Sequence, residues 1–171
     1  MQPDAAETVW QGRLLALTLE RWGEYEREIV EHPGAVVILS IDGDGNVAFV
    51  RQRREATRAR LLELPAGTAE PDEEALVTAR RELREECGLT GGRWSRLGGF
   101  WTAPGFCREY MHVFLAEDVE IGAAEPEPDE ELELVRCHVD RLDALIPELA
   151  DAKTLAALLL YFTSRASSHG R

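Results

Sequence analysis

Lysine is almost missing from this chain. Of 19 basic residues in 171, 18 are arginine, and Lys153 is the only lysine. Arginine is the better residue for bidentate contacts to phosphate, although genomic base composition is the simpler cause of so one-sided a bias. Basic charge as a whole is also short, since 32 acidic residues leave a net charge of −13. That argues against a protein that grips a polynucleotide backbone, which needs clustered Lys and Arg. It leaves room for a small anionic ligand carried in with a divalent cation. Cysteine is scarce: Cys87, Cys107 and Cys137 make an odd number with no CxxC pair. Reduced thiols in the cytoplasm are therefore expected, not a disulfide framework. The four histidines (His32, His112, His138, His169) are scattered, so no zinc cluster is visible. There is no apolar leader core at the N-terminus, and the run "LAALLLYF" (Leu155–Phe162) is far too short to span a bilayer.

What is present is the profile of one soluble domain, with 44% hydrophobic and 30% charged residues. Residues 1–8 are polar and are expected to fray. Residues 9–35 read as two or three strands around a turn near Gly23. "AVVILSIDGDGNVAFVRQRR" is the clearest hairpin, with two apolar, β-branched runs around Asp42–Asn46. "RLLELPAG" reads as a short strand. A helix follows, with Pro71 and Asp72 at its start and Gly88 just past its end. Two strands joined by a Pro104-Gly105-Phe106 loop come next. Then follow an acidic loop, the strand "LELVRCHV", a short helix over Asp140–Ile146 and a last helix from Asp151 to Phe162. The main domain is expected over 36–165, with a flexible tail over 166–171. Strands outnumber helices, which suggests an α+β sandwich.

The segment Gly67–Leu89 holds seven acids, yet its leucines recur at helical spacing. Like charges on one helix face repel by about a few tenths of a kcal/mol per pair. Such crowding fits a solvated surface, or a cation placed between the carboxylates. On a wheel of about 100° per residue, Leu76, Ala79, Leu83 and Cys87 form the apolar stripe, and Glu82, Glu85 and Glu86 share a flanking arc. Oxygen-only ligands of this kind suit a hard cation such as Mg²⁺ or Mn²⁺. Spacing alone weighs this about equally against a solvated Glu/Arg helix. Arg81 is placed to pair with an acid of the preceding loop such as Glu73.

The order of these residues is more specific. Gly67, Glu73, Arg81-Glu82-Leu83, Glu85-Glu86 and Gly88-Leu89 match the nine specified positions of G-x(5)-E-x(7)-R-E-U-x-E-E-x-G-U without a gap. In this the chain resembles the Nudix hydrolases. The resemblance implies an α/β/α sandwich with a mixed sheet, preceded by antiparallel strands, and hydrolysis of a nucleoside diphosphate linked to another group. It implies two or three Mg²⁺ or Mn²⁺ ions on Glu82, Glu85 and Glu86 with the carbonyl of Ala66. Glu73, Arg81, Gly67 and Gly88 would brace the loop and helix.

Outside that box the chain resembles the ADP-ribose pyrophosphatase branch. The resemblance rests on "FVRQRR" followed by "LELPAG", on Pro104 sixteen residues after Gly88, and on the flanking elements over about residues 9–162. It implies conversion of ADP-ribose to AMP and ribose 5-phosphate by a homodimer whose N-terminal strands help build the partner's site. Arg54 would contact phosphate or ribose, Glu70 the nucleoside or ribose, and Glu109 the terminal ribose. Pro104, Gly105 and Phe106 would form the substrate loop, with Arg27 stacking on the base. The catalytic base would be Glu130 or Glu127, with Glu131 an alternative register and Glu85 a further carboxylate; Pro128 stands where the branch carries its glutamate. Ala103 and Arg108 depart from the branch pattern, and Arg108 puts a positive charge where an acid is usual. Other substrates (a GDP-sugar, a dinucleoside polyphosphate, NADH or FAD) and an inactive ADP-ribose-binding regulator are the competing readings.

Overall fold

The computed structural model describes residues 1–122 and 131–169. Strands β1 (Ala5–Gln11), β2 (Ala16–Trp22) and β3 (Tyr25–Glu31) form a separate antiparallel sheet in the order β1-β2-β3. The larger sheet holds β4 (Ala35–Asp42), β5 (Asn46–Arg54), β6 (Ala59–Glu63), β7 (Ala66–Thr68), β8 (Leu89–Trp101), β9 (Tyr110–Ile121) and β10 (Glu133–His138). Its order is β10-β5-β4-β9-β8, with β6 paired to β5 and β7 to β4. Only β4 and β9 run parallel, so the sheet is mixed.

The central strand β4 is apolar without alternation because both its faces are covered. Val37 and Leu39 face one core, shared with Leu142 of α2 (Leu142–Leu145) and with Ala157, Leu158 and Tyr161 of α3 (Ala152–His169). Val36 and Ile38 face the other, shared with Ala79, Leu83 and Cys87 of α1 (Ala75–Cys87). The result is the expected α/β/α sandwich.

One local feature of the sheet builds the site. The β4–β5 hairpin is closed by Asp42, whose Oδ1 accepts the backbone N–H of Asp44 and of Asn46 at 3.0 and 2.8 Å. The two strands pair at Ile41–Val47 and then part: β5 goes on with β6, and β4 with β7. The chain between β6 and β7 is threaded into that gap, where the Ile38 N–H donates to the Pro65 carbonyl at 2.9 Å.

Four expectations about the elements need correction. Strand β1 starts at Ala5, ahead of the first strand expected, and pairs along β2 although every one of its residues is exposed. Helix α3 continues through the polar tail to His169. Helix α1 begins at Ala75, not at Pro71-Asp72, which lie in the preceding turn with Asp72 left-handed at φ 62°. The Glu73 carboxylate accepts from the Glu70 N–H and the Thr78 hydroxyl, so residues 70–73 wrap round it and do not join the helix. Leu76 is exposed; the buried arc consists of Thr78, Ala79, Leu83, Glu86 and Cys87, turned toward the glutamates because α1 leans on β7 as well as β4. Gly88 does end the helix in the left-handed region, at φ 65°, its N–H donating to the Arg84 carbonyl at 2.9 Å.

Candidate active site

A cavity of about 690 Å³ opens between the β6–β7 segment, α1, the first turn of α3 and the ends of β8 and β9. It is lined by Arg54, Ala66, Gly67, Glu70, Arg81, Glu82, Glu85 and Glu109, all residues singled out in the sequence. Glu86 lies just beneath it, 5% exposed, its Oε2 accepting the Ala66 N–H at 3.2 Å. Gly67 lets the helix come this close to β7, since a Cβ on it would fall inside the Glu82 carboxyl group.

Arg81 organises the acidic face. Its Nε and Nη2 donate to the two oxygens of Glu73 at 3.1 and 3.0 Å, and Nη2 also reaches the Thr68 carbonyl at 3.2 Å. Its Nη1 donates to Glu82 at 2.8 Å and to Glu85 at 3.1 Å. The hydrogen bonds from Arg81 hold the Glu73 carboxyl down at about 2, against a smaller upward push from burial. The same pairing pushes the Arg81 guanidinium well above its ordinary range. Among the described residues no three acidic, histidine or cysteine side chains close round a single point; the guanidinium stands among the carboxylates instead. The donor set nevertheless fits a hard divalent cation: carboxylate oxygens, a neighbouring peptide carbonyl, and neither sulfur nor imidazole. Glu82, Glu85 and Glu86, with Ala66, are the residues that would hold it.

The other predicted residues do not all gather at this cavity. Pro104, Gly105 and Arg27 do not reach the main cavity but line a smaller one of about 320 Å³, together with Glu20, Trp22, Ile29, Cys107 and Arg108. Phe106 lines neither cavity; its side chain is exposed, and its carbonyl accepts the Val30 N–H at 2.7 Å. Glu109 is held in the main cavity by the Thr102 hydroxyl at 2.7 Å, with the His32 ring 3.6 Å away. Glu127 and Glu130 lie outside the described residues. Glu131 pairs with Arg60 at 3.5 Å and is 78% exposed, away from the cavity lining.

Arg108 does not line the main cavity and is held within the chain. It donates to Glu20 of β2 at 2.7 Å and also bonds Glu31 of β3, joining the loop before Glu109 to the N-terminal sheet. Among the lining groups that sequence reasoning did not place in the site are Lys153 and Asp151 at the start of α3, with Arg13 and His32. The only signal for the first was that it is the single lysine.

This fold and acidic face define a Nudix protein, and the comparison with known families agrees: the NUDIX domain model matches residues 31–159. The chain belongs to the Nudix family of hydrolases. Among its relatives is the ADP-ribose pyrophosphatase of Bacillus subtilis strain 168, 37% identical over 90% of this chain and 88% of that one. The ADP-ribose pyrophosphatase of Mycobacterium tuberculosis H37Rv is 41% identical over 74% of this chain and 64% of its own. A protein of Bacillus methanolicus named methanol dehydrogenase activator is 32% identical over 95% and 93% of the two chains. The crystal structure of an ADP compounds hydrolase superimposes with a TM-score of 0.81 over 98% of this chain and 96% of that one, at 23% identity, which speaks for the fold.

Proposed function

We propose that this protein hydrolyses the pyrophosphate of ADP-ribose, giving AMP and ribose 5-phosphate. The observation that carries the reading is the likeness to an ADP-ribose pyrophosphatase over about nine-tenths of both chains, set beside a cavity lined by Glu82, Glu85 and Arg54 with Glu86 just beneath it. Two or three Mg²⁺ or Mn²⁺ ions are the expected cofactor. When bound, such ions neutralise phosphate oxygens and make water more acidic. The chain's own residues do the rest. Glu82, Glu85 and Glu86 fix the cation positions on a rigid helix. Arg54 faces the phosphates from β5, and Glu70 and Glu109 supply acceptors for sugar hydroxyls. A carboxylate takes the proton of the attacking water; Glu130 and Glu127 are the candidates from the acidic loop, and Glu85 is the candidate within the cavity.

The position of Arg108 outside the main cavity, paired with Glu20 and Glu31, weakens the case for a more anionic substrate. The likeness to a protein named as an activator keeps an ADP-ribose-binding regulator as the second reading. The homodimer is part of the proposal and is supported by β1, which presents Val9 and Trp10 to solvent. Free Cys87, Cys107 and Cys137 support a reducing compartment such as the cytoplasm. Among the described residues no helix is long and apolar enough to cross a membrane.

The deciding experiment is Mg²⁺- and Mn²⁺-dependent turnover of ADP-ribose, GDP-mannose, NADH, FAD and diadenosine polyphosphates, with Glu86→Gln beside the wild type. ADP-ribose should dominate and Glu86→Gln should lose two orders of magnitude or more, on the order of what misplacing a metal costs. Dominance of another compound would move the substrate within the family. Binding of ADP-ribose without turnover of any compound would leave the regulator.

A further inference from the structure

Lys153 enters the cavity from the first turn of α3. Its ammonium bonds Glu63 and, at 3.0 Å, Asp151, and its side chain is only 14% exposed. Glu63 is buried to 1% and also accepts both Nε and Nη2 of Arg54, at 2.9 and 2.7 Å. One buried carboxylate therefore sets two cations, from elements far apart in sequence, at one wall of the cavity. Burial alone would push the Glu63 carboxyl up, but Arg54 and Lys153 together hold it below its usual range. Asp151 completes the frame: its Oδ2 accepts the N–H and hydroxyl of Thr154 at 3.0 and 2.6 Å. The Thr154 hydroxyl in turn accepts the Leu64 N–H at 2.8 Å, tying α3 to the segment that carries Ala66.

Two acids balance two cations here, so the cluster is a means of positioning and not a field of positive charge. It leaves donors over. Glu63 occupies the Nε–Nη2 edge of Arg54, and among the described residues nothing takes the protons on Nη1. An ammonium has three protons, and Lys153 has two partners among the described residues. Both side chains are pre-ordered by Glu63, so less rotamer entropy is lost when a ligand arrives.

We propose that Lys153 is a second phosphate-binding cation of this site, held beside Arg54 by the shared Glu63, and that it binds the substrate's pyrophosphate from the α3 side. The inference rests on reading this cavity as the pyrophosphate site. Lys153 is then a specificity residue for phosphate, and Glu63 a positioning residue that acts through Lys153 and Arg54.

The test compares wild type, Lys153→Met, Lys153→Arg and Glu63→Gln in ADP-ribose kinetics at saturating Mg²⁺. Calorimetric titration with inorganic pyrophosphate and a melting curve are recorded for each. Lys153→Met should raise KM roughly tenfold to a hundredfold, as loss of one charge-assisted bond does, with a smaller change in kcat. It should weaken pyrophosphate binding by a similar factor. Lys153→Arg should recover most of both, and Glu63→Gln should raise KM by disordering both cations. Unchanged KM and pyrophosphate binding in Lys153→Met, whatever its melting temperature, would reduce Lys153 to a staple between α3 and β6 and overturn the proposal. If Lys153→Met does not fold, Lys153→Gln, which still donates to Glu63, is read in the same way. If wild type leaves ADP-ribose intact, the proposed function fails, and the pyrophosphate titration alone still decides the role of Lys153.

Discussion

Arg81 and Glu73 meet fork to fork, with Nε and Nη2 of the arginine on the two carboxylate oxygens at 3.1 and 3.0 Å. The pair joins the loop ahead of α1 to the helix, and it leaves Nη1 of the same guanidinium for Glu82 and Glu85. Replacing Glu73 by Gln keeps the shape and removes the charge. The guanidinium loses its anchor, and Glu82 and Glu85 lose the donor that it holds in place beside them. We expect Glu73→Gln to lower kcat/KM about tenfold to a hundredfold, the usual cost of losing a group that orients metal ligands. The loss should appear together with a weaker Mg²⁺ dependence in a metal titration. Unaltered Mg²⁺ dependence would confine the pair to a structural role.

The same pair predicts an acid limit of stability. The Glu73 carboxyl lies at about 2 in the fold against an ordinary 4.5. A carboxyl depressed in the folded state binds its proton more readily when unfolded. Its stabilisation is therefore complete above about pH 4.5 and is lost as pH falls toward 2. For a pair that keeps some contact with solvent, the contribution is on the order of 2 kcal/mol. Urea unfolding of wild type and Glu73→Gln should show a gap at neutral pH that narrows below about pH 4.5. A gap of constant size would mean that another group governs the acid limit.

Gly67→Ala tests how closely α1 must approach β7. The new methyl group would occupy the place of the Glu82 carboxyl, so either Glu82 swings away or the helix shifts. A displacement of about 1 Å at a reacting site costs on the order of a hundredfold in rate. The variant should therefore lose activity out of proportion to any change in melting temperature, because the added methyl meets a side-chain end and not packed core. Activity near wild type would show that the Glu82 position is not held by this contact.

Much of this site was legible in advance because it is local in sequence. The box from Gly67 to Leu89 runs from β7 through one loop and one helix to the start of β8, so the spacing of its glutamates maps directly onto one helix face. Glu82 and Glu85 line the cavity and Glu86 lies under its floor. Legibility ended where tertiary partners decide. The exposure of Leu76 follows from where β7 leans on α1, and the delayed helix start follows from what Glu73 binds. The engagement of Arg108 depends on Glu20, 88 residues away in sequence, and the contact of Lys153 with Glu63 spans 90. Nothing in the local pattern of "DAKTLAALLLY" separates a lysine facing a site from one facing solvent.

Arg108 provides a test of long-range anchoring. Glu20 is buried and shares its carboxylate between Arg108 and the Trp22 indole N–H, at 2.7 and 3.1 Å. Arg108→Ala leaves that carboxylate with one partner fewer and cuts the tie between the Glu109 loop and the N-terminal sheet. A half-exposed arginine limits the cost, and we expect a destabilisation of about 1–3 kcal/mol. The KM for ADP-ribose should rise because Glu109 is no longer held in register. Arg108→Ala together with Glu20→Gln should be less than additive. Additive effects would show that the two residues act independently.

The N-terminal sheet makes the last prediction. Among the described residues strand β1 pairs only with β2; it buries none of its seven residues, and Trp10 is 57% exposed. An open strand edge with an exposed tryptophan and valine is a liability unless something covers it. A second copy of the chain is the proposed cover, and a stable interface of ordinary size takes about 800 Å² from each partner. Light scattering on the eluting protein should give twice the mass of one chain. Trp10→Glu should shift it to one chain and reduce ADP-ribose turnover, because Arg13 and Leu14, just beyond β1, line the main cavity. A monomeric wild type with full activity would show that this sheet serves the site from within its own chain.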